Sequence, residues 1–383
     1  MSQKIYLRKM TLMKIGARTF KTALAVFIAV YIPVAINLPE LSVLSGLAVV
    51  ASIQPSVKRS YITLRDRVLA NMIGGLVAFL VASYLGTTPI LIGLATLFLI
   101  AILHQLKLDG VIQLAAMVLI IVMIESDRSP LYTTLSRVAA TTLGVIIAFI
   151  VNTYIWPPKY DRKLFQLTND VSDDLMRYIR ISLRKNSQFG LMTKDLESVG
   201  KDIRIMHLYF NYINEGHINP FKLSKNKYSV TRLLVVYRQF IKVTESALNL
   251  AKTLQRTENI YNNFDEEFRI QIRERIEILM SAHEQILQKW NGRVMPEEVN
   301  FMKHKMSFRK QFMERFYSEA SMDAYLNGDY TDSNAVLKIM SNILDYEESL
   351  VHLNLLVSVY VKNHAEESKV IKENIDNGRD IDR

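Results

Sequence analysis

Residues 67–84, RVLANMIGGLVAFLVASY, recur seventy positions further on as residues 137–154, RVAATTLGVIIAFIVNTY. Eight of the eighteen paired positions are identical, including the opening arginines Arg67 and Arg137 and the glycine seven residues later. Both stretches belong to apolar runs, and about 20 helical residues suffice to cross the core of a bilayer. The recurrence predicts an internally duplicated membrane protein. Chance similarity between two apolar helices is the alternative.

The two halves of the chain differ in charge. Mean hydropathy is only +0.11 and 22% of the residues are charged, values that would suit a soluble protein. Residues 1–160, however, contain 14 Lys and Arg against 5 Asp and Glu, whereas residues 161–383 contain 33 against 32. The basic excess therefore accompanies the apolar runs, where it sets membrane orientation. No basic patch is interleaved with aromatic residues, so no nucleic-acid partner is expected.

Six apolar segments are predicted to span the membrane as helices, which makes lipid an expected partner. They are residues 20–37, 41–54, 68–85, 88–104, 111–124 and 138–156. Fourteen basic residues lie at the N-terminus, in alternate connections or after the sixth segment, whereas only Arg128 and Arg137 lie on the opposite side. By the positive-inside rule, both termini are expected in the cytoplasm.

Three spans per repeat is an odd number, so the second repeat must enter the membrane from the opposite side. The sequence thus predicts an all-α protein with an inverted 3+3 repeat. The short second segment, residues 41–54, corresponds at the same offset to the short fifth segment, residues 111–124. Paired short segments in two repeats indicate a substrate path. They would also be short if they tilt little or if their ends are misjudged.

Polar residues within or beside the apolar segments are candidates for lining that path. The six candidates are Lys21, Gln54, Arg67, Asn71, Gln113 and Arg137. Arginine or lysine at the mouths of a pathway favours anions. Alternatively, the two arginines only anchor their helices at lipid headgroups, and the amides, with Asn152, bond between helices. Glu125 and Asp127 could carry protons, or could belong to a solvated loop.

After Trp156-Pro157-Pro158 the apolar residues recur at the spacing of amphipathic helices. Four such stripes cover residues 164–179, 230–251, 268–290 and 336–360. This pattern predicts a transmembrane domain over residues 1–158 and a cytoplasmic helical bundle over residues 159–362. The polar tail, residues 363–383, is predicted to be disordered.

Motifs for catalysis and energy coupling are absent from the sequence. It contains no GxxxxGK[ST], no GxGxxG after a strand, no GxSxG and no HExxH. The seven histidines lack ligand spacing, and there is no cysteine to serve as nucleophile or metal ligand. We therefore expect no enzymatic activity, no cofactor and no metal. Passage through the membrane would follow a gradient or couple to protons.

The motif Arg-x-x-small-Thr/Asn-x-x-Gly at the start of an apolar helix resembles that of the fusaric acid resistance and aromatic acid exporter superfamily. Arg137, Ala140, Thr141 and Gly144 fit it, although glycine is commoner at the position of Ala140. The equivalent residues of the first stretch, Arg67, Ala70, Asn71 and Gly74, fit less well.

Trp156-Pro157-Pro158 is similar to the Trp-x-Pro of plant aluminium-activated malate transporters. Six spans followed by a long helical region resemble the single-unit bacterial members of the superfamily. The resemblance implies passage of small organic anions, aromatic ones included, across the bacterial plasma membrane, through a homodimer.

Two functions remain open from the sequence. One is an organic-anion exporter or channel, favoured by the duplicated spans and the paired short segments. The other is a non-transporting membrane sensor or scaffold whose helical bundle binds a partner, favoured by the size of the bundle.

Overall fold

A computed structural model describes residues 17–125, 129–155, 160–184, 189–216, 227–294, 306–319 and 330–363. Every regular element in these ranges is helical, and none of them contains a strand. The chain divides into two compact units, an apolar unit up to Pro158 and a second unit made of the amphipathic helices that follow. Trp156-Pro157-Pro158, Asp127 and the predicted tail lie outside the described residues.

Between residues 17 and 155, the described part of the apolar unit contains six α-helices. They are α1 Ala17–Ala35, α2 Ser42–Ser52, α3 Val57–Tyr84, α4 Pro89–Gln105, α5 Ile112–Ile124 and α6 Pro130–Ile150. A short 3₁₀ turn precedes α2 at Pro39–Leu41 and α5 at Asp109–Val111, and a π turn, Val151–Ile155, continues α6. The residue numbers of the second 3₁₀ turn and of the start of α5 are those of the first 3₁₀ turn and of the start of α2 plus 70.

The turns before the short helices repeat at the same offset. Asn37 and Lys107 both adopt the left-handed backbone conformation with φ of 59°, which residues other than glycine rarely adopt. In each turn the third residue after the helix donates its N–H to a carbonyl five residues back, Leu38 to Pro33 and Leu108 to Leu103, both at 2.9 Å. This is the Schellman arrangement that closes a helix C-terminus. The correspondence between the halves therefore extends to individual backbone hydrogen bonds.

The two halves interlock through reciprocal helix contacts. Helix α3 packs on α5, α6 packs on α2, and α3 and α6 pack on each other. A Cβ atom added at Gly74 would lie 3.1 Å from the carbonyl oxygen of Ala115, and one added at Gly144 would overlap the carbonyl of Ser45. Ser45 and Ala115 are themselves equivalent at the offset of 70. Small residues thus let each long helix approach the short helix of the other half.

The long helices begin earlier than the sequence predicted. Helix α3 starts at Val57, where the Ser56 hydroxyl accepts from the Arg59 amide, and α6 starts at Pro130 after the Ser129 cap. Hydropathy finds only the apolar part of such a helix, so Arg67 lies three turns inside α3 and not at its start. By length and composition two described helices could span a membrane, Val57–Tyr84 and Pro130–Ile155. Four shorter apolar helical stretches, of 10–17 residues, are Thr19–Ala35, Pro39–Ser52, Pro89–Gln105 and Asp109–Ile124.

The second unit is a helical bundle around one large apolar core. Its described helices are α7 Tyr160–Ser182, α8 Phe189–Gly216, α9 Lys227–Arg256, α10 Glu258–Asn263, α11 Glu266–Trp290, α12 Met306–Glu319 and α13 Tyr330–Asn363. The four predicted stripes lie in α7, α9, α11 and α13, whereas the pattern did not single out α8 and α12. Rings from four helices meet around Trp290, which contacts Phe165, Tyr237, Phe240 and Tyr360.

Candidate functional site

Arg67 is a buried cation held by uncharged oxygen atoms. Its side chain projects from α3 onto the C-terminal end of α2, and the residue is only 7% exposed. Nη1 donates to the carbonyl of Ala48 (3.2 Å) and to the hydroxyl of Ser52 (2.5 Å), and Nη2 donates to the carbonyl of Ala51. The carbonyls at a helix C-terminus carry partial negative charge, which favours a cation there. They do not cancel its full positive charge.

A second buried polar cluster contains Lys21 and is organised by Asn152. Lys21, 6% exposed, donates from Nζ to Asn152 Oδ1 across 3.4 Å. Asn152 Nδ2 donates in turn to the backbone carbonyl of Gln54 (2.9 Å) and to the hydroxyl of Ser60 (2.7 Å). The cluster therefore joins α1, the start of α3 and the π turn. It also includes Gln54, which lies two residues after α2 and takes part through its backbone carbonyl.

Arg137, the counterpart of Arg67, is paired with a carboxylate. Its Nε donates to Glu125 Oε2 at 3.0 Å and its Nη2 to Glu125 Oε1 at 2.6 Å, a two-pronged ion pair. Nη1 also donates to the carbonyl of Glu40 at 3.4 Å, and the Glu40 carboxylate accepts from the Tyr132 hydroxyl at 2.6 Å. Glu125 directly follows α5, so each arginine reaches the C-terminal end of the short helix in its own repeat. Only Arg137 meets an opposite charge there.

The remaining two candidates take different positions. Asn71 is buried at 4% exposure, one turn after Arg67 on the same face of α3. Gln113 is exposed near the start of α5. The structure thus gathers Lys21, Gln54 and Arg67 around the last turn of α2 and the residues just after it, places Asn71 next to Arg67, and brings neither Gln113 nor Arg137 into that group.

The polar cluster has no equivalent in the other half of the apolar unit. At the offset of 70, Lys21, Gln54, Ser60 and Asn152 correspond to Leu91, Ile124, Pro130 and Ala82. Ser52, which contacts Arg67, corresponds to Val122. Sequence reasoning overlooked Ser52 and Ser60, although this replacement of apolar by polar residues between aligned repeats could have found them.

The arrangement suits binding of an anion better than binding of a metal. Its donor groups are a buried ammonium, a buried guanidinium, amides and hydroxyls, which complement carboxylate or similar oxyanions. Among the described residues, no three His, Cys, Asp or Glu side chains converge as metal ligands. The apolar helices, the duplicated short segments and these buried cations are those of a helical membrane protein.

Comparison with known proteins specifies that class. Residues 13–155 match the family described as aromatic acid exporter family member 1. The UPF0421 protein YgaE of Bacillus subtilis (strain 168) is 32% identical over 365 residues, which cover 94% of this chain and 100% of that protein. The chain belongs to the aromatic acid exporter family, a family of membrane exporters.

Shorter matches concern only part of the chain. A UPF0421 protein of Halalkalibacterium halodurans is 36% identical over 148 residues, covering 38% of this chain and 41% of the relative. One of Bacillus cereus is 30% identical over 158 residues, covering 41% of this chain and 44% of the relative.

Proposed function

We propose that the protein exports small organic anions through its apolar unit without hydrolysing ATP. The observation that carries this proposal is Arg67, a guanidinium 7% exposed whose hydrogen bonds go to the carbonyls of Ala48 and Ala51 and the hydroxyl of Ser52. An ionisable residue inside a membrane domain is costly and most often serves transport. Because its partners are uncharged, Arg67 retains a positive field that can attract a carboxylate.

The proposed topology is six spans with the second repeat inverted and both termini in the cytoplasm. It is supported by the distribution of basic residues and by the offset of 70, which relates helix starts, turns and reciprocal contacts. With this orientation Arg67 and Lys21 lie towards the cytoplasmic mouth, and Arg137 lies towards the outer mouth. An exporter would thus collect anions at the end where Arg67 bonds to uncharged oxygen atoms.

Topology can be tested on this cysteine-free chain. A single cysteine introduced at Lys58 is expected to react only with reagents that reach the cytoplasm, and one introduced at Thr87 only with reagents outside. Labelling of the Lys58 position by an impermeant reagent added to intact cells would contradict the proposed orientation.

We also propose a homodimer in lipid, as the family resemblance implies. Exposed apolar side chains such as Phe27, Leu97 and Phe98 supply surface for lipid or for a second subunit. Crosslinking in native membranes, combined with light scattering in detergent, is expected to give a dimer. A monomer by both measurements would rule it out.

Transport itself is tested with purified protein in liposomes and a panel of benzoate, 4-hydroxybenzoate, malate and acetate. Arg67→Gln is expected to lower anion flux at least about tenfold, the effect of losing one charged contact. Arg137→Gln is the matched control, because Glu125 already neutralises that arginine, and is expected to reduce flux less. Absence of flux for every anion in the wild-type protein would reject the exporter and favour a sensor or scaffold.

A further inference from the structure

The exposed side of helix α13 changes from polar to apolar along its length. Every exposed residue within 334–348 is polar, as expected of a helix side that faces water. The next exposed apolar side chains are Val351, Leu355 and Val359, which are 45%, 61% and 50% exposed. Their spacing of four residues places them in one row along the helix, which we call the α13 stripe.

The α13 stripe lies between two exposed charges of opposite sign. Glu348 lies seven residues before Leu355 and Lys362 lies seven residues after it, two helical turns in either direction. Both charges therefore share the side of the helix that carries Leu355, and both are exposed. Neither forms an ion pair with the described residues of the chain.

A second copy of α13 complements this arrangement when the two helices run antiparallel. A two-fold axis through Leu355 places Glu348 of each copy opposite Lys362 of the other, because both lie at the same distance from the axis. It also places Val351 opposite Val359. A parallel pair in register would instead bring Glu348 next to Glu348 and Lys362 next to Lys362. Charges that flank an apolar seam set the direction of helix pairing, so they favour the antiparallel pair.

We propose that the α13 stripe is a contact between two copies of this chain, in which α13 pairs with α13 antiparallel about Leu355. The inference rests on the proposed homodimer and adds to it the surface of the bundle through which the copies meet. A seam of about four turns is smaller than a free-standing interface, which buries roughly 1,200 Å² or more. Two copies held in the same membrane, however, meet at a raised effective concentration.

Disulfide crosslinking can test the contact directly, because the chain has no cysteine of its own. Leu355→Cys in the full-length protein in liposomes is expected to give a disulfide-linked dimer under a mild oxidant, since its two copies meet at the axis. Ser341→Cys is the matched control. It lies on the same exposed side of α13 but fourteen residues from Leu355, outside the seam.

Two further cysteines distinguish the antiparallel pair from a parallel one. The two copies of Val351 would lie about 12 Å apart along the helix, farther than the roughly 7 Å between Cα atoms that a disulfide can span. Val351→Cys and Val359→Cys should therefore each crosslink poorly alone. Coexpressed with distinguishable tags, they should crosslink to each other. Self-crosslinking of Val351→Cys as strong as that of Leu355→Cys would indicate a parallel pair and overturn the proposed arrangement.

Exchange of the two charges tests the complementarity on which the proposal rests. Glu348→Lys or Lys362→Glu, each combined with Leu355→Cys, should lower the crosslinking yield up to about fivefold, because either change breaks both symmetric pairs. The two exchanged together should restore the yield. Lys338→Glu is the control, since it makes the same change of charge on the same exposed side outside the seam. Equal yields in all four backgrounds would overturn the pairing of Glu348 with Lys362.

The outcomes separate this contact from the homodimer itself. A dimer by light scattering without a Leu355→Cys crosslink would overturn this surface and leave the homodimer standing, whereas a monomer by both methods would reject both. A Leu355→Cys product of another mass in native membranes, with no linked dimer in liposomes, would assign the stripe to a different protein and overturn the proposal. If Leu355→Cys does not reach the membrane, the coexpressed Val351→Cys and Val359→Cys decide.

Discussion

Arg67 in the apolar unit and Arg275 in the bundle are buried alike but differ in their partners. Arg67 is 7% exposed and bonds to carbonyl and hydroxyl oxygens, whereas Arg275, 4% exposed, forms an ion pair with Glu347. A buried charge that serves only the fold is normally matched by an opposite charge, because an unmatched one is costly. Arg275 follows that rule and Arg67 departs from it. The departure indicates a functional use of Arg67.

The ion pair of the bundle offers the largest expected effect on stability. Glu347→Gln removes the carboxylate that pairs with the buried Arg275 guanidinium, so the free energy of unfolding should fall by about 3–5 kcal/mol. Unfolding of the detergent-solubilised full chain can be followed by Trp290 fluorescence in a Trp156→Phe background. Glu348→Gln, at the exposed neighbouring position, is the control and should change stability little. Equal effects of the two substitutions would show that the pair contributes nothing.

Acid should destabilise the bundle through His283. This histidine is 1% exposed, and its ring contacts the Tyr346 hydroxyl at 2.9 Å and the Ser172 hydroxyl at 3.3 Å. Burial lowers the pKa of His283 from 6.5 to about 4, because the charged form loses its hydration. The unfolded chain therefore binds the proton first, and stability is lost as pH falls from 6.5 towards 4.

The free energy of unfolding is expected to fall by about 3 kcal/mol, because the pKa of His283 is shifted from 6.5 to about 4. Replacing His283 with Asn should remove this part of the pH dependence of stability. The carboxylates of the chain still titrate at lower pH. His207→Asn is the control, since His207 is exposed and pairs with Glu245. The same pH profile for the wild type and His283→Asn would assign the acid sensitivity to other groups.

Gly74 and Gly144, where each long helix meets a short one, test the reciprocal packing of the repeats. Gly144→Ala would bring a methyl group against the Ser45 carbonyl and 2.9 Å from Ala48 Cβ, so it should destabilise by about 1–3 kcal/mol. Gly74→Ala meets the Ala115 carbonyl at 3.1 Å and should cost less than about 1 kcal/mol. Thermal unfolding in detergent measures both. Gly93→Ala, where a Cβ meets no atom within 4 Å, is the control.

The sequence located the short helices well and their partners poorly. The predicted segments 41–54 and 111–124 became α2 with its 3₁₀ turn and α5 with its own, because apolar runs end where turns begin. The starts of α3 and α6 were missed because polar first turns and the serine caps are invisible to hydropathy. Arg67 was recognised from its position in the repeat. Its contacts with Ala48 and Ser52 could not be predicted from the sequence, because they depend on how α3 packs on the end of α2.

Asn152 shows a second limit of the sequence. The sequence shows it only as a polar residue within an apolar run, for which hydrogen bonding between helices is one interpretation. Its hydrogen bonds to Gln54 and Ser60 depend on the π turn, which the periodicity of the sequence does not reveal. The bundle was recognised from its amphipathic stripes, but α8 and α12 were not. In α8 the signal was present and overlooked, because its buried residues recur every three or four positions: Met192, Leu196, Val199, Ile203, Met206, Phe210 and Ile213.

The smallest expected effect concerns the ion pair at the other arginine. Arg137 and Glu125 have side chains 16% and 41% exposed, so water screens the pair and its contribution to stability should be below about 1 kcal/mol. Glu125→Gln should therefore change the unfolding temperature little, in contrast to Glu347→Gln. It does leave Arg137 with an amide in place of a carboxylate, which makes its environment similar to that of Arg67. Anion flux in liposomes should then become more sensitive to Arg137→Gln than it is in the wild type. Equal sensitivity in both backgrounds would mean that Glu125 does not set the difference between the two arginines.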